Sequence, residues 1–392
     1  MKRHLTTIAA GLGAVNTVNA LRPLGWGHIN RVLPSFAAGL PTSELPLQLI
    51  AAQAAGALAT RRRQTRTSMA INAASWAALA GIEVQARKSP AVFDRALADA
   101  LGPDYRSRAD HPRDRPAKAL GVLATARAHG RYTSGTRDIS YGPAGHRNQL
   151  DLWRREDLPR DGRAPVLVQV HGGGWMTGDR TPQAYPLMTL MAELGWLCVS
   201  ISYRLSPRET WPAQLDDVKA AIAWVHANIA DYGGDPGFVA VTGGSAGGHL
   251  TMLAGLDPDT GVQAAVPFYG PPDFTNRENY KHDLLGPALA EKIIKQPLED
   301  ARELYELASP FDQIHPDAPP FFIIQGTLDN FVSPTDARNF GRKLQETSRR
   351  PVAYAELPGA WHAFDLFSST RARAAADAIA DFLGVLWTER AT

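Results

Sequence analysis

The sequence predicts an α/β fold in which a mostly parallel, eight-stranded sheet is flanked by helices. From residue 138 onward, short apolar segments alternate with helical patterns, and strands that are apolar along their whole length are typical of a parallel sheet covered on both faces. Residues 1–130 are instead rich in alanine, follow a helical pattern and contain no clear strand. We therefore divide the chain into a helical N-terminal region, 1–130, and an α/β domain, 131–392, that carries a helical insertion at about 272–312.

The elements of the α/β domain follow from short apolar runs and from the helical patterns between them. The candidate strands are DISYG (138–142), QLDLWR (149–154), VLVQV (166–170), LCVSIS (197–202), FVAVTG (238–243), AAVPFYG (264–270), FFIIQG (321–326) and VAYAEL (352–357). The helices are predicted at about 182–193, 212–230, 246–255, 335–347 and 369–388. The first two strands are short and flanked by polar residues, as expected of an antiparallel edge.

The insertion interrupts this alternation. About fifty residues with two predicted short helices and no predicted strand separate the sixth and seventh predicted strands. An excursion of that length is typical of a lid or cap over a binding site, and a decorative insertion is the alternative.

Two apolar helices are predicted in the N-terminal region. The first begins at an N-cap formed by Thr42 or Ser43, has Pro46 in its first turn and ends at the arginines 61–63. The second spans about 67–86. The pair fits a hairpin packed on the rest of the chain, and it also fits peripheral contact with a membrane interface. A polar, proline-containing stretch, 104–118, indicates a linker.

Composition excludes several classes of protein. Lys and Arg number 41 against 39 Asp and Glu, so the net charge of +2 gives no sign of a nucleic-acid partner. The single cysteine, Cys198, excludes an internal disulfide and lies in a predicted buried strand. The sequence contains no run of about 18 or more strongly apolar residues, so it predicts no membrane-spanning helix. The first twenty residues, ending in V-N-A, fit a secretory signal only loosely, so cytoplasmic and envelope-associated locations both stay open.

The stretch GGSAGG at 243–248 carries the main functional signal. It lacks the lysine of a P-loop, and a serine stands where a dinucleotide-binding fingerprint needs glycine. It fits G-x-S-x-G between a strand and a helix, where a sharp turn exposes a nucleophilic serine. The sequence therefore predicts Ser245 as a nucleophile.

The loop HGGGW at 171–175 predicts an oxyanion hole. Consecutive glycines after a strand allow backbone N–H groups to face a cavity, and the start of the helix after the serine adds another donor. We assign these donors to Gly173, Gly174 and Ala246. We expect His171 to brace the loop rather than to transfer protons.

A serine nucleophile requires a base and an orienting acid, each expected just after a late strand and in the order Ser, acid, His. Asp329 follows FFIIQG, and His362 follows VAYAEL. Asp312 and Asp336 are the competing acids, but the first precedes its strand and the second lies in a helix. The sequence predicts a Ser-His-Asp triad that needs neither a metal nor an organic cofactor.

Five ordered motifs give the region 138–392 a close resemblance to the hormone-sensitive-lipase type of α/β-hydrolase and to bacterial carboxylesterases. They are HGGGW, YRLSP with WPAQLDDVKAAIAWV, DPGFVAVTGGSAGGHL, GTLD and PGAWHAF. The N-terminal half resembles that of actinobacterial carboxylesterases named as lipases. The resemblance implies an α/β-hydrolase fold, hydrolysis of a small-molecule ester or lipid, and a cap built from N-terminal helices and the insertion.

Two positions depart from many relatives, which carry an acidic residue where this chain has Gly244 and a proline where it has Asn330. Both lie near the pocket, for which Trp175 and Trp361 are the predicted substrate-binding residues. We expect an esterase for short- to medium-chain acyl groups. An amidase, formamidase or sugar-ester deacetylase with the same triad is an alternative, as is a catalytically silent binding protein.

Overall fold

All eight predicted strands occur and form one sheet in the order β1-β2-β4-β3-β5-β6-β7-β8. The computed structural model of the protein describes residues 2–25, 29–109, 122–278 and 285–390. The strands are β1 Ile139–Ser140, β2 Gln149–Trp153, β3 Ala164–Val170, β4 Leu197–Ile201, β5 Gly234–Gly244, β6 Ala264–Phe268, β7 Phe321–Gly326 and β8 Val352–Leu357. β2 runs antiparallel to β1 and β4, and β3 to β8 run parallel, so the predicted antiparallel edge is confirmed.

The helices bury both faces of this sheet. In chain order they are α1 Lys2–Leu21, α2 Ile29–Glu44, α3 Pro46–Ala59, α4 Arg66–Ala86, α5 Ser89–Leu101, α6 Tyr105–Arg108, α7 Val122–Tyr132, α8 Tyr185–Glu193, α9 Ala213–Asn228, α10 Ala246–Leu256, α11 Leu285–Ala288, α12 Arg302–Leu307, α13 Pro334–Thr347 and α14 Thr370–Glu389. Successive residues of β3 point to opposite faces, as the strand geometry requires. Leu167 belongs to the core that includes residues of α5, α8 and α14, whereas Val166 and Val168 belong to the core that includes residues of α9, α10 and α13.

The predicted N-terminal region is helical, but its helices occupy two layers. α5 and α7 supply Phe93, Leu97 and Tyr132 to a core beneath the sheet, and the Phe93 ring meets that of Phe322 edge to face at 6.0 Å. α1 to α4 pack on one another, and Trp76 Nε1 of α4 donates a hydrogen bond to Gln53 Oε1 of α3 at 3.0 Å. We call α1 to α4 the outer layer.

The predicted cap of the first apolar helix is wrong. Thr42 and Ser43 lie in the last turn of α2, and the Thr42 hydroxyl donates to the carbonyl of Ala38 at 2.9 Å instead of capping α3. The residue before Pro46, Leu45, has φ −124° and ψ 43°, which is not helical, and it separates the two helices, because a proline disfavours helical geometry in the residue before it. The arginines 61–63 form a separate 3-10 turn after α3.

The insertion packs beside the carboxyl edge of the sheet. Its described part contains α11, a π-turn at Leu289–Ile293 and α12, and residues 279–284 lie outside the described residues. The carbonyl of Ile293 accepts a hydrogen bond from the Trp211 amide at 2.9 Å, which ties the insertion to the loop after β4. The predicted linker begins with the short helix α6, and its remainder from residue 110 lies outside the described residues.

Candidate active site

Ser245 occupies a sharp turn between β5 and α10. Its backbone has φ 58° and ψ −121°, a conformation that L residues rarely adopt and that persists only when the surroundings enforce it. The turn depends on a close backbone approach, since a Cβ on Gly247 would lie 2.1 Å from the carbonyl oxygen of Val170. The serine hydroxyl is thereby presented at the carboxyl edge of the sheet, as the G-x-S-x-G spacing predicts.

His362 and Asp329 meet Ser245 at this edge. His362 Nε2 lies 2.8 Å from Ser245 Oγ, and Nδ1 lies 2.8 Å from Asp329 Oδ2. Because a carboxylate only accepts, Nδ1 carries the proton and Nε2 is free to accept from the serine hydroxyl. The exposed fractions of Asp329 and His362 are 1% and 6%, so both side chains are shielded from solvent.

The protein holds the Asp329 carboxylate in a fixed orientation. Its Oδ1 accepts from the backbone amides of Phe331 and Val332, each at 2.9 Å, and its Oδ2 accepts from Gln325 Nε2 at 3.0 Å. The competing acids lie elsewhere. Asp312 pairs with Arg277 at 2.6 Å, and Asp336 lies in the first turn of α13.

The glycine loop lies directly against the serine. A Cβ built on Gly172 would be 3.3 Å from the Cβ of Ser245. The Gly172 amide already donates to Gln183 Oε1 at 2.7 Å. Gly173 and Gly174 have φ of 128° and 59°, and among the described residues their amides have no acceptor. The Ala246 amide opens α10 and has no partner within that helix.

Two other buried histidines brace the site without reaching the serine. His171 stacks on Tyr203 at 4.1 Å, and its Nδ1 lies 2.8 Å from the carbonyl of Gly172; burial lowers its pKa to about 4. His249 stacks on Phe274 at 4.3 Å, and burial lowers its pKa to about 3. Both rings are neutral near neutral pH.

The outer layer touches the loops that carry the histidine and the aspartate. Trp361 Nε1 donates to the carbonyl of Ala20 in α1 at 2.9 Å, and a Cβ on Gly39 of α2 would lie 2.4 Å from the Trp361 ring. These contacts favour a structural role for Trp361 over the predicted contact with substrate. Asn330 Nδ2 reaches the carbonyl of Gly25 at 3.4 Å, so this departure from relatives also faces the outer layer.

Phe36 of α2 is a site neighbour that sequence reasoning missed. Its ring meets that of Phe331 edge to face at 5.0 Å and lies 6.3 Å from the His362 ring. No motif surrounds Phe36. Only the general implication of an N-terminal cap pointed to this part of the chain.

Tyr269 and Asp365 were also missed. The Tyr269 hydroxyl donates to the Asp365 carboxylate, and the Tyr269 ring lies 4.7 Å from His362. A Cβ on Gly244 would lie 2.6 Å from the Tyr269 hydroxyl oxygen, so the tyrosine occupies the space beside the serine that a side chain at 244 would need. Desolvation raises the pKa of Asp365, and the hydrogen bond from Tyr269 opposes that rise. The available signal was the position of Tyr269 directly after β6, where Asp329 and His362 also follow strands.

Trp175, which follows the glycine loop, lies in an aromatic cluster with His249 and Phe274. Its indole meets the rings of His249 and Phe274 edge to face at 5.2 and 5.4 Å and is 3% exposed. The substrate-binding role of Trp175 stays a prediction.

Known proteins match this chain over nearly its whole length. The family model described as BD-FAE matches residues 150–344. The Mycobacterium tuberculosis protein named probable carboxylic ester hydrolase LipM is 44% identical, over 97% of this chain and 93% of LipM. The chain belongs to this carboxylic ester hydrolase family. Esterase LipQ of the same organism is 44% identical over 91% of the chain and 85% of its own length.

A solved esterase structure agrees with the architecture. The structure of Thermogutta terrifontis esterase Est2 with butyrate bound has 25% identity and a TM-score of 0.51, and it covers 60% of this chain and 87% of Est2. The predicted α/β-hydrolase fold and the predicted family are therefore confirmed. The protein is a carboxylic ester hydrolase.

Proposed function

We propose that the protein is a serine carboxylesterase that hydrolyses short- to medium-chain esters through an acyl-enzyme intermediate. The observation that carries this proposal is the hydrogen-bonded chain from Ser245 through His362 to Asp329, with both distances at 2.8 Å. Such a chain supplies a nucleophile, a base and an orienting acid in one line.

In the acylation step, Ser245 Oγ attacks the ester carbonyl while its proton passes to His362 Nε2. Asp329 accepts the Nδ1 hydrogen bond, holds the ring in this tautomer and stabilises the imidazolium that forms. His362 then returns the proton to the departing alkoxide, and the acyl group remains on Ser245.

Charge on the carbonyl oxygen is stabilised by the amides of Gly173, Gly174 and Ala246. Positive φ at both glycines and the position of Ala246 at the start of α10 support this role. In the deacylation step a water donates its proton to His362 and attacks the acyl carbon, which releases the acid and restores Ser245.

The acyl-chain preference follows from what surrounds the serine. Phe36 contacts Phe331 and lies 6.3 Å from His362, and Trp175, which follows the glycine loop, contacts Phe274. Aromatic walls of this kind fit a small apolar group, and Est2 has been solved with butyrate bound.

The test is hydrolysis of p-nitrophenyl esters with acyl chains from two to sixteen carbons, beside the matching p-nitroanilides. Ser245→Ala should lower kcat/KM by about 10⁴-fold or more, as expected for loss of a triad nucleophile. Ser140→Ala, which changes an exposed serine of β1, should keep full activity. An optimum beyond twelve carbons, or faster cleavage of anilides than of esters, would contradict the proposal.

A further inference from the structure

The first helix of the outer layer turns its polar side chains toward the protein. Five of its threonines and asparagines form hydrogen bonds within the fold, and four of these reach other segments. The pairs are Thr6 with the Arg63 carbonyl at 3.1 Å, Thr7 with Thr65 at 3.1 Å, Asn16 with Thr42 at 2.6 Å, Asn19 with the Ser35 carbonyl at 2.7 Å, and Thr17 with the Gly13 carbonyl at 2.9 Å. A surface helix of a globular protein in water shows the reverse arrangement.

The apolar side chains of α1 face outward. Leu5, Ile8, Leu12 and Val15 are 59%, 58%, 68% and 58% exposed. Their spacing of three, four and three residues places them on one face of the helix. This face, which we call the α1 stripe, lies opposite the buried Ala10 and Thr17.

The surroundings of the α1 stripe are basic. Residues 1–86 contain eight lysines and arginines and two acidic residues, Glu44 and Glu83. Glu83 is buried and pairs with Arg87 at 2.9 Å. Glu44 is fully buried in an ion pair with Arg371 and therefore adds no negative charge to the surface. The exposed Arg61–Arg63 turn lies beside the first turns of α1, because the Thr6 hydroxyl donates a hydrogen bond to the carbonyl of Arg63.

We propose that the α1 stripe lies in the surface of an anionic lipid bilayer, with the arginines against the headgroups. An apolar face flanked by cations binds such a surface through buried apolar area and charge attraction together. None of the described helices is long and apolar enough to cross a bilayer, which fits a helix lying in the interface. A second copy fits this face less well, because self-association would bring the basic residues of both copies together.

Binding in this orientation places the site near the lipid. α1 is linked to the residue before His362 by the hydrogen bond from Trp361 to Ala20. The proposal concerns binding alone, so it holds or fails independently of the catalytic assignment.

The experiment is sedimentation of the full chain with vesicles of phosphatidylcholine alone or mixed with phosphatidylglycerol. We expect sedimentation with the anionic vesicles, at least tenfold weaker binding to phosphatidylcholine alone, and release at high salt. Leu12→Glu should weaken binding at least tenfold. Leu307→Glu, which changes a leucine of α12 that is 56% exposed, is the matched control and should bind as the wild type does.

Hydrolysis of a soluble ester by both variants checks that they are folded, since neither leucine belongs to the site. Absence of wild-type binding to either vesicle would overturn the proposal. Equal loss of binding in Leu12→Glu and Leu307→Glu would overturn it too. A wild-type dimer that Leu12→Glu converts to a monomer would show that a second copy covers the stripe instead.

Discussion

The sheet region, which comprises the eight strands and α5 to α14, and the outer layer arrange their polar side chains in opposite ways. In the sheet region, apolar strands fill two cores, and polar groups such as Ser245, Asp329 and His362 gather at the carboxyl edge with partners from the same region. In the outer layer, α1 turns its polar groups inward and its leucines outward. The sheet region thus gathers its polar groups at the site, whereas the outer layer leaves apolar side chains exposed to its surroundings.

Several contacts join these regions, including two that are buried. Arg371 of α14 pairs with Glu44 of α2 at 3.0 Å, both side chains being fully buried, and Trp361 binds the Ala20 carbonyl. Three kinds of variant therefore test this difference. They change the catalytic site alone, the Arg371–Glu44 ion pair alone, which we call the joint, or the packing of the sheet region alone.

Breaking the site alone should give the largest effect. Asp329→Asn should lower kcat by about 10⁴-fold, because the amide stabilises the wrong tautomer of His362. Folding should change little, since the amide oxygen can still accept from the amides of Phe331 and Val332. Ester hydrolysis and urea unfolding measure the two quantities. Asp336→Asn is the control, and a greater loss there would show that the acid was wrongly assigned.

Breaking the joint should separate the two regions. Arg371→Met leaves the Glu44 carboxylate buried and unpaired, and we expect a loss of about 3–5 kcal/mol in the free energy of unfolding at neutral pH. Burial raises the pKa of Glu44 above its ordinary value of 4.5. The loss should therefore shrink as the pH falls from neutral, and it should level off only below 4.5, where the carboxyl is protonated in the unfolded chain too.

Urea unfolding of Arg371→Met and of Glu44→Leu/Arg371→Met measures this joint. The double variant should recover most of the loss, because it removes both charges. An earlier, separate transition in the single variant would show that the outer layer unfolds on its own. A single variant as stable as the wild type would mean that the joint does not hold the regions together.

A smaller effect on stability is expected from the hydrogen bond between Tyr269 and Asp365. Tyr269→Phe removes the hydroxyl that donates to Asp365 and should cost about 1–3 kcal/mol of unfolding free energy. Tyr354→Phe is the matched control, because its acceptor Glu356 keeps Arg338 as a partner at 2.8 Å. Thermal unfolding of both variants tests this difference. Equal losses would show that the Tyr269 hydroxyl has no special role.

Acid should weaken the sheet region through its buried histidines. His171 and His249 have pKa values of about 4 and about 3 in the folded protein, against an ordinary value of 6.5. Because only the unfolded chain binds these protons below pH 6.5, stability falls as the pH drops toward 4, by about 1.4 kcal/mol per pH unit for each histidine. The unfolding free energy of His249→Gln should depend less steeply on pH, and an unchanged slope would contradict this account.

The sequence was sufficient to predict the sheet, and the site residues that it predicts after strands lie within hydrogen-bond distance of one another, because both patterns depend on local chemistry. Strand apolarity and the glycines around Ser245 are readable within a few residues. The N-cap at Thr42 or Ser43 was predicted wrongly because Pro34 and Pro41 lie inside α2, which tolerates them and extends to Glu44. Phe36 and Asp365 reach the site through contacts between distant segments, which no local pattern encodes, and Tyr269 was signalled only by its position directly after β6.

Because Trp361 donates to the Ala20 carbonyl, the outer layer and the loop after β8 form one unit that evolution or an engineer must exchange together. A chimera that grafts the first four helices of a relative onto this sheet must also carry a small residue at 39 and an accepting carbonyl beneath the indole. Otherwise Trp361, the residue beside His362, loses its hydrogen bond and its packing against α2. Recombination between relatives should therefore succeed when its crossover points keep α1, α2 and the loop after β8 from the same parent.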